Sequence, residues 1–294
     1  MTAQLSRFLP PDYDAARPIA IIAGKASYPV VLVEAIRKLG IPLRLVAFEG
    51  ETETELIDGF EPEMRRVIKV GQLGHMLKAL QKLGAHYTIM AGQITPRKLF
   101  RGLYPDLKAM TLLASLQQRN AETIFGAITQ EIEQLGIRQL DARSFLDDCV
   151  ATSGVMTGGK LKISTETLKH GIFIAKACAR LDIGQSVMVS RGTVLAVEGF
   201  EGTDSMIERS GNFGAKHPVL IKTVKPQQDY RFDVPVFGER TLRKMIAANI
   251  RLAALEADNT IILNKPKVLE QAKKAGIQLY GYTHQESESG ELSQ

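Results

Sequence analysis

The sequence has no tryptophan, two cysteines and five histidines in 294 residues, and only 6% of it is aromatic. Each shortage removes a class of protein. Cys149 and Cys178 cannot build a disulfide framework, so a reducing, cytoplasmic setting is expected. The histidines are scattered, without the spacing of a metal site, and no Ser-His-Asp arrangement is evident. Few aromatics, and bases interleaved with acids, leave no stacking array along a basic stripe. Nucleic acid is therefore not an expected partner, despite a net charge of +5. No apolar run approaches the ~20 residues of a spanning helix. The opening MTAQLSRFLPPDYDAARP lacks the apolar core of a secretory signal.

What is present is the composition of a globular chain, 45% hydrophobic and 23% charged, with room for two domains. Residues 19–23 (IAIIA) form the continuous apolar run of a strand buried on both faces. A helix at 28–39, stopped by Gly40, and a strand at 43–48 complete a βαβ unit. A strand at 67–70, a helix at 73–83, a strand at 87–91 and helices at 107–118 and 121–135 extend it. The pattern predicts a doubly wound α/β domain. At 144–162 helical periodicity gives way to Gly, Ser and Thr. Beyond lie a helix at 165–181, a hairpin turning at Arg191-Gly192, a strand at 219–224 and an extended run at 229–235. A long helix at 239–256, a strand at 260–263, a helix at 267–275 and a strand at 277–280 follow. Residues 285–294, polar and acidic, are expected to be unfolded. The expected domains are 1–142 and 143–294.

The chemistry concentrates at 184–238. Glu198, Glu201, Asp204, Asp229 and Asp233 recur there among Lys222, Lys225 and Arg231, a mixture suited to a divalent metal and a phosphorylated ligand. If 229–235 is extended, Asp229, Arg231 and Asp233 share one face and Tyr230, Phe232 and Val234 the other. Such a face can present carboxylates and a phosphate-gripping guanidinium, or simply an ion-pair ladder on an edge strand. In EGFEGTD, Gly199 and Gly202 permit a sharp turn, Thr203 or Asp204 caps a short helix, and Glu198 is a strand-end carboxylate in need of a partner. GVMTGGK at 154–160 has the spacing of a phosphate loop, but Leu161 stands where Ser or Thr would hold magnesium. It reads better as a glycine linker from which Lys160 can still reach a phosphate. After the first strand, Ala26 and Pro29 replace the second and third glycines of a dinucleotide fingerprint, which argues against a nicotinamide oxidoreductase. The Gly24 loop still opens a helix, and Gly92-Gln93 occupies the equivalent end of a later strand. Both positions suit an anionic or polar ligand.

The strings IIAGKASYP, AGQITP, SFLDD, HGIFIAKACARLDIGQSVMV, GTVLAVEGFEGTDSMIER, LIKTVKPQQDYRFDVPVFG and GIQLYGY occur in this order. From Ile19 to about Tyr282 the chain resembles the LpxI-type UDP-2,3-diacylglucosamine pyrophosphatases. The resemblance implies an α/β protein with an N-terminal Rossmann-like domain, a distinct C-terminal catalytic domain and the ligand in the cleft between. It implies metal-dependent hydrolysis in lipid A biosynthesis, using Mg²⁺ or Mn²⁺. Water attacks the α-phosphorus of the UDP-lipid, releasing UMP and 2,3-diacylglucosamine 1-phosphate. The family's essential aspartate falls at Asp233, holding the metal or the attacking water, with Glu198 or Asp229 as a second carboxylate and Glu198 as the second metal ligand. On this reading Lys225 and Arg231 stabilise the phosphates, Lys160 and Thr203 also bind the substrate, and Gly24, Ser27 and Gln93 line the nucleotide side. Met206, Ile207 and Phe213 line an acyl tunnel. The expected partners are the UDP-linked lipid, the inner membrane surface by peripheral contact, and a second copy in a homodimer. A non-catalytic nucleotide-sugar or lipid-binding protein is the alternative.

Overall fold

A computed structural model describes residues 5–94 and 105–289. Contacts divide the chain into two units. The first is Met1–Asp147 with Asp229–Asp233, and the second is Asp148–Gln228 with Val234–Gln294. The backbone therefore passes between units at 147/148, 228/229 and 233/234. The expected second domain, 143–294, was to hold Asp229–Asp233; contacts return that pentapeptide to the first unit.

In the first unit, β1 (Ile19–Ala23), β2 (Leu43–Phe48), β3 (Arg65–Ile68), β4 (Tyr87–Ala91) and β5 (Arg138–Gln139) form a parallel sheet in the order β3-β2-β1-β4-β5. The helices are α1 (Ser27–Lys38), α2 (Thr54–Asp58), α3 (Leu73–Lys82), α4 (Leu107–Ser115) and α5 (Ala121–Glu133). Central strands of such a sheet are covered on both faces, which is why IAIIA is buried throughout. Leu32, Val33 and Ile36 bury one face of α1. Ala20, Ile22, Val46 and Phe48 form a core with Leu77 and Leu80 of α3, Leu112 of α4 and Ile132 of α5. Each fully buried Leu or Ile contributes about 1.5–3 kcal/mol. Local signals set the helix starts: Asp106 accepts from Ala109 N, and Asn120 and Thr123 form a capping box.

In the second unit, β6 (Gly154–Val155), β7 (Ser186–Ser190), β8 (Thr193–Val197), β9 (Val219–Lys222), β11 (Leu252–Glu256) and β13 (Gln278–Tyr282) form a sheet in the order β6-β13-β11-β9-β7-β8. Strands β9, β11 and β13 are parallel, while β6 and β7 run antiparallel to them. Strands β10 (Val236–Phe237) and β12 (Ile261–Ile262) pair separately. The helices are α6 (Thr165–Arg180), α7 (Gly202–Gly211), α8 (Glu239–Ala247), α9 (Lys265–Lys274) and α10 (His284–Ser289). One face of the large sheet packs Met188, Leu220 and Leu255 against Met206, Ile207, Met245 and Val268 of α7, α8 and α9. The other packs Val187, Ile221, Ala254 and Tyr282 against Leu168, Ile172 and Ala175 of α6. The β7–β8 hairpin turns at Arg191 and Gly192, both at positive φ, as a two-residue turn requires.

Four expectations are corrected. The expected helix 239–256 ends at Ala247, Asn249 takes φ 56°, and LAALE becomes the buried central strand β11. Residues 229–235 are not extended: the Phe232 and Asp233 N–H groups both donate to Asp229 O, at 3.3 and 3.0 Å, closing a turn. Met206 and Ile207 are fully buried and Phe213 is exposed, so the three do not line a common tunnel. The expected unfolded tail falls partly outside the described residues, at 290–294. Residues 285–289 belong to α10.

Candidate functional site

In the first unit the order of β1 and β4 about the sheet centre creates the switch point where open α/β sheets hold ligands, at the carboxyl ends of the strands. Gly24, Ser27 and Gln93 are brought together there. Lys25 N donates to Gln93 O at 2.8 Å and Gln93 N to Lys25 O at 3.3 Å, so the two loops form an antiparallel bridge. A Cβ on Gly24 would lie 2.4 Å from Gln93 O, and one on Gly92 would lie 2.7 Å from Lys25 O. Only glycines allow this approach. Ser27 opens α1, whose N-cap, Ala26, makes no side-chain cap. The first-turn N–H groups of α1 thus begin beside the bridged loops, where they favour an anion.

The Asp229–Asp233 turn is fastened to the same unit by its backbone. Ala142 N donates to Tyr230 O at 2.8 Å, and the buried Gln139 donates through Nε2 to Arg231 O at 3.2 Å. Thr88 Oγ1 in turn donates to Gln139 Oε1. Phe232 stacks on Phe125 with centroids 6.1 Å apart, and the Arg143 guanidinium lies 3.5 Å from the Tyr230 ring centroid. Arg231 reaches Asp229 through Nε and NH2 (3.0 and 2.8 Å) and Glu133 through NH1 (2.9 Å). Burial raises the Asp229 pKa, but the hydrogen bonds and charge of Arg231 outweigh it and hold the carboxyl below its usual range. Asp229 raises Arg231 in return, against burial and with help from Glu133. The guanidinium thus pairs with two carboxylates of its own unit. Its work is to fix the turn that ends at Asp233.

In the second unit the carboxyl ends of β9, β11 and β13, the start of β7 and the end of β8 share one edge of the sheet. Two side-chain groups form there on opposite faces. On the α6 face Glu256 is fully buried. Its Oε2 accepts from Lys176 Nζ (2.7 Å), Thr223 Oγ1 (2.7 Å) and Val224 N (3.0 Å), and its Oε1 from Asn259 Nδ2 (3.2 Å). Burial first, and Glu256 second, push the Tyr282 hydroxyl well above its ordinary range. On the α7 face Thr203 Oγ1 donates to Glu198 Oε1 at 2.7 Å, and Lys222 Nζ donates to Thr203 Oγ1 at 3.2 Å and Ser186 Oγ at 3.3 Å. Gly184 makes this packing possible, since a Cβ there would lie 2.1 Å from Glu198 O.

Of the expected site residues, the second unit thus joins Glu198 to Thr203, and the first joins Gly24, Ser27 and Gln93. The first unit also holds Asp229, Arg231 and Asp233 in one turn. Asp233 and Glu198, expected on one metal, belong to different units, and neither unit alone brings them together. Lys225 pairs with Asp182, and Lys160 is exposed, its carbonyl accepting from Gln278 Nε2 at 2.9 Å. Thr203 sits inside the first turn of α7, so the helix gains no side-chain cap; the N-cap is Glu201. Sequence reasoning passed over Ser186, Glu256 and Gln139, and saw Lys222 without giving it a role. For Lys222 a signal existed: a lysine closing the apolar run VLIK. Glu256 lay inside the expected helix. Among the described residues no three His, Cys, Asp or Glu side chains gather as metal ligands. The described residues offer no ready cage, but Mg²⁺ is commonly held by one or two carboxylates plus substrate phosphates and water, and a single carboxylate such as that of Asp233 fits this donor set.

Comparison with known proteins agrees over both units. Residues 18–149 match the model of the LpxI N-terminal domain and residues 152–280 that of the LpxI C-terminal domain. The chain is similar to the UDP-2,3-diacylglucosamine pyrophosphatase LpxI of Caulobacter vibrioides. The two are 27% identical over 287 residues, covering 92% of this chain and 99% of that one. The chain belongs to the LpxI family.

Proposed function

We propose that the protein hydrolyses the pyrophosphate of UDP-2,3-diacylglucosamine, releasing UMP and 2,3-diacylglucosamine 1-phosphate. The observation that carries this reading is the end-to-end similarity to a pyrophosphatase of that substrate, across both domain models. The geometry supports it. A pyrophosphate diester resists water because its anionic oxygens repel a nucleophile. What is needed is a carboxylate held at a fixed place and electropositive groups that meet the charge on the leaving phosphate.

Asp233 supplies the carboxylate. Its turn is tied by two backbone-directed hydrogen bonds and a stacked phenylalanine, so it is positioned before substrate arrives. We assign it to orienting the water that attacks the α-phosphorus and to holding Mg²⁺ or Mn²⁺. A divalent cation there would neutralise phosphate oxygens and acidify water. Gly24, Ser27 and Gln93, at the switch point of the first sheet, are assigned to the nucleotide. The lipid substrate implies contact with the cytoplasmic face of a membrane. Among the described residues no helix is long and apolar enough to cross one.

The test is release of UMP from UDP-2,3-diacylglucosamine in mixed micelles with Mg²⁺, by wild type and Asp233→Ala. The expected outcome is turnover by wild type, and loss of turnover with retained substrate binding and melting temperature in the variant. Binding without UMP release by wild type would make the protein a carrier. Near-normal turnover by Asp233→Ala would remove that residue from the chemistry.

A further inference from the structure

The side-chain groups described above occupy one edge of the second sheet. At the opposite edge, where β9, β11 and β13 begin and the β7–β8 hairpin turns, the fold gathers cations that the sequence scatters. Val189 is level with Val219, and Ser190 Oγ donates to Lys216 O at 2.5 Å, so the hairpin tip at Arg191 lies beside the loop entering β9. Leu252 is level with both Val219 and Gln278, which puts Arg251 in the same row. Arg251 NH1 reaches Ala275 O at 2.7 Å, at the end of α9 that carries Lys273. The Gln278 side chain completes the row, accepting from Lys162 N at 2.8 Å and donating to Lys160 O at 2.9 Å. Neighbouring strands stand about 4.8 Å apart, so the row from β7 to β13 is roughly 15 Å long.

Lys160, Lys162, Arg191, Lys216, Arg251 and Lys273 are all exposed, and among the described residues none pairs with a carboxylate. The nearby acids are answered elsewhere: Glu270 pairs with Lys274 at 2.5 Å and Glu208 pairs with Lys244. Glu166 lies in the first turn of α6, where the helix itself favours an acid. The helix dipole likewise accounts for Lys273 in the last turn of α9. The other five cations lie outside helices, so no dipole calls for them. Like charges in so short a row repel one another, a cost that an anionic surface turns into attraction.

Two apolar side chains accompany the row. Phe213, 55% exposed, stands in the loop between α7 and β9, and Ile246, 43% exposed, in the last turn of α8. The two helices end together, since a Cβ on Gly211 would lie 2.8 Å from Ala248 Cβ. Phe213 N donates to Ser210 O at 3.2 Å, so this residue carries no unmet backbone donor into an apolar phase.

We propose that this edge of the second unit docks on an anionic lipid bilayer, with the cations over headgroup phosphates and Phe213 and Ile246 at the acyl boundary. Cations flanking an exposed Phe and Ile fit a lipid surface better than a nucleic acid. A nucleic acid would stack on the ring and leave Ile246 without a role. Resting on the hydrolase reading above, this names the surface that keeps an enzyme of a lipid substrate at its membrane. Lys160 then meets a bilayer phosphate instead of one in the substrate. The row stands a strand length from the groups at the carboxyl ends, so docking and chemistry use different residues.

The experiment is sedimentation of the full-length chain with phosphatidylcholine vesicles that contain or lack phosphatidylglycerol, beside UMP release in neutral detergent micelles. Wild type is expected to sediment with the anionic vesicles alone and to be released by high salt. Lys162→Gln combined with Lys216→Gln should weaken that binding by about 30-fold, and Phe213→Ser by about tenfold. Both lysines are exposed, so the melting temperature and micellar UMP release of the double variant should match wild type. Absence of wild-type binding to anionic vesicles, equal binding to neutral ones, or undiminished binding by either variant would overturn the inference. So would tighter binding of single-stranded RNA than of vesicles at the same salt, which would give the face to a nucleic acid. Wild type that docks but releases no UMP would overturn the hydrolase reading and leave the docking surface standing.

Discussion

Gly24→Ala tests the bridged loops at the switch point. The added methyl would sit 2.4 Å from Gln93 O, 2.9 Å from Gln93 C and 3.0 Å from Gln93 N, all backbone atoms that no rotamer change can remove. The loops must part. Two backbone hydrogen bonds, at 2.8 and 3.3 Å, are then lost or stretched, at about 0.5–1.5 kcal/mol each. Forcing the backbone aside adds about 1–3 kcal/mol. A loss near 3 kcal/mol follows, which for a unit of this size lowers the melting temperature by roughly 6–12 °C. Gly59→Ala is the control, because its nearest neighbours stand at an ordinary 3.4 Å. Differential scanning calorimetry reads the stability. UMP-release kinetics should show KM rising more than kcat falls, since Gly24 and Gln93 are assigned to binding. A Gly24→Ala protein that melts within a degree of wild type, with unaltered KM, would show that the bridge is neither tight nor part of the nucleotide side.

Three further outcomes are expected. Lys176→Met leaves Glu256 buried without its cation and should destabilise the second unit by about 3 kcal/mol; a loss under about 1 kcal/mol in denaturant titration would contradict the ion pair seen at 2.7 Å. Removing divalent metal with EDTA should stop UMP release, and Mg²⁺ or Mn²⁺ in excess should restore it; full activity in chelator would discard the proposed cation. Burial alone raises the Asp106 pKa, but hydrogen bonds from Ala109, His75 and Gly74 outweigh it and leave it below its ordinary range. A depressed folded pKa means its contribution is present above about pH 3.9 and is lost as the pH falls through the folded value. In acid titration followed by circular dichroism, Asp106→Asn should flatten that low-pH limb; an unchanged limb would refute the linkage.

The first sheet was legible because its strands announce themselves. IAIIA, LRLVAF and YTIMA are apolar runs bounded by Gly and Pro, and all three became parallel strands within a residue of the expected limits. The hairpin at Arg191-Gly192 was equally plain. By contrast, LAALE is apolar on both faces because β11 lies between β9 and β13, and a short run of that kind cannot be told from a helix continuing out of α8. Asn249, a residue tolerant of positive φ, was the available break. The turn at Asp229–Asp233 alternates like a strand, but its side chains answer to Phe125, Glu133 and Arg143 and its backbone to Gln139, all far away in sequence. No local pattern carries that information. The tail was misread for a smaller reason. Thr283 and Glu286 are a capping box, with Thr283 N donating to Glu286 Oε2 and Glu286 N to Thr283 Oγ1, and the buried Glu286 carboxylate also accepts from Tyr280 OH. The site was half visible. Gly24, Gln93, Glu198 and Thr203 could be named one by one from glycines and strand ends, whereas the pairing of Glu198 with Thr203 and the surroundings of Lys222 and Glu256 depend on which face each residue takes.

The return of five residues from late in the chain to the first unit limits how this protein can be cut or recombined. A fragment ending at Asp147 would lack the peptide that covers Gln139 and stacks on Phe125, and would show a raw apolar scar where Phe232 belongs. Swapping the second half between relatives would import a foreign pentapeptide into the first. Residues 125–143 and 229–233 should therefore change together over evolutionary time, as a lock and its key do.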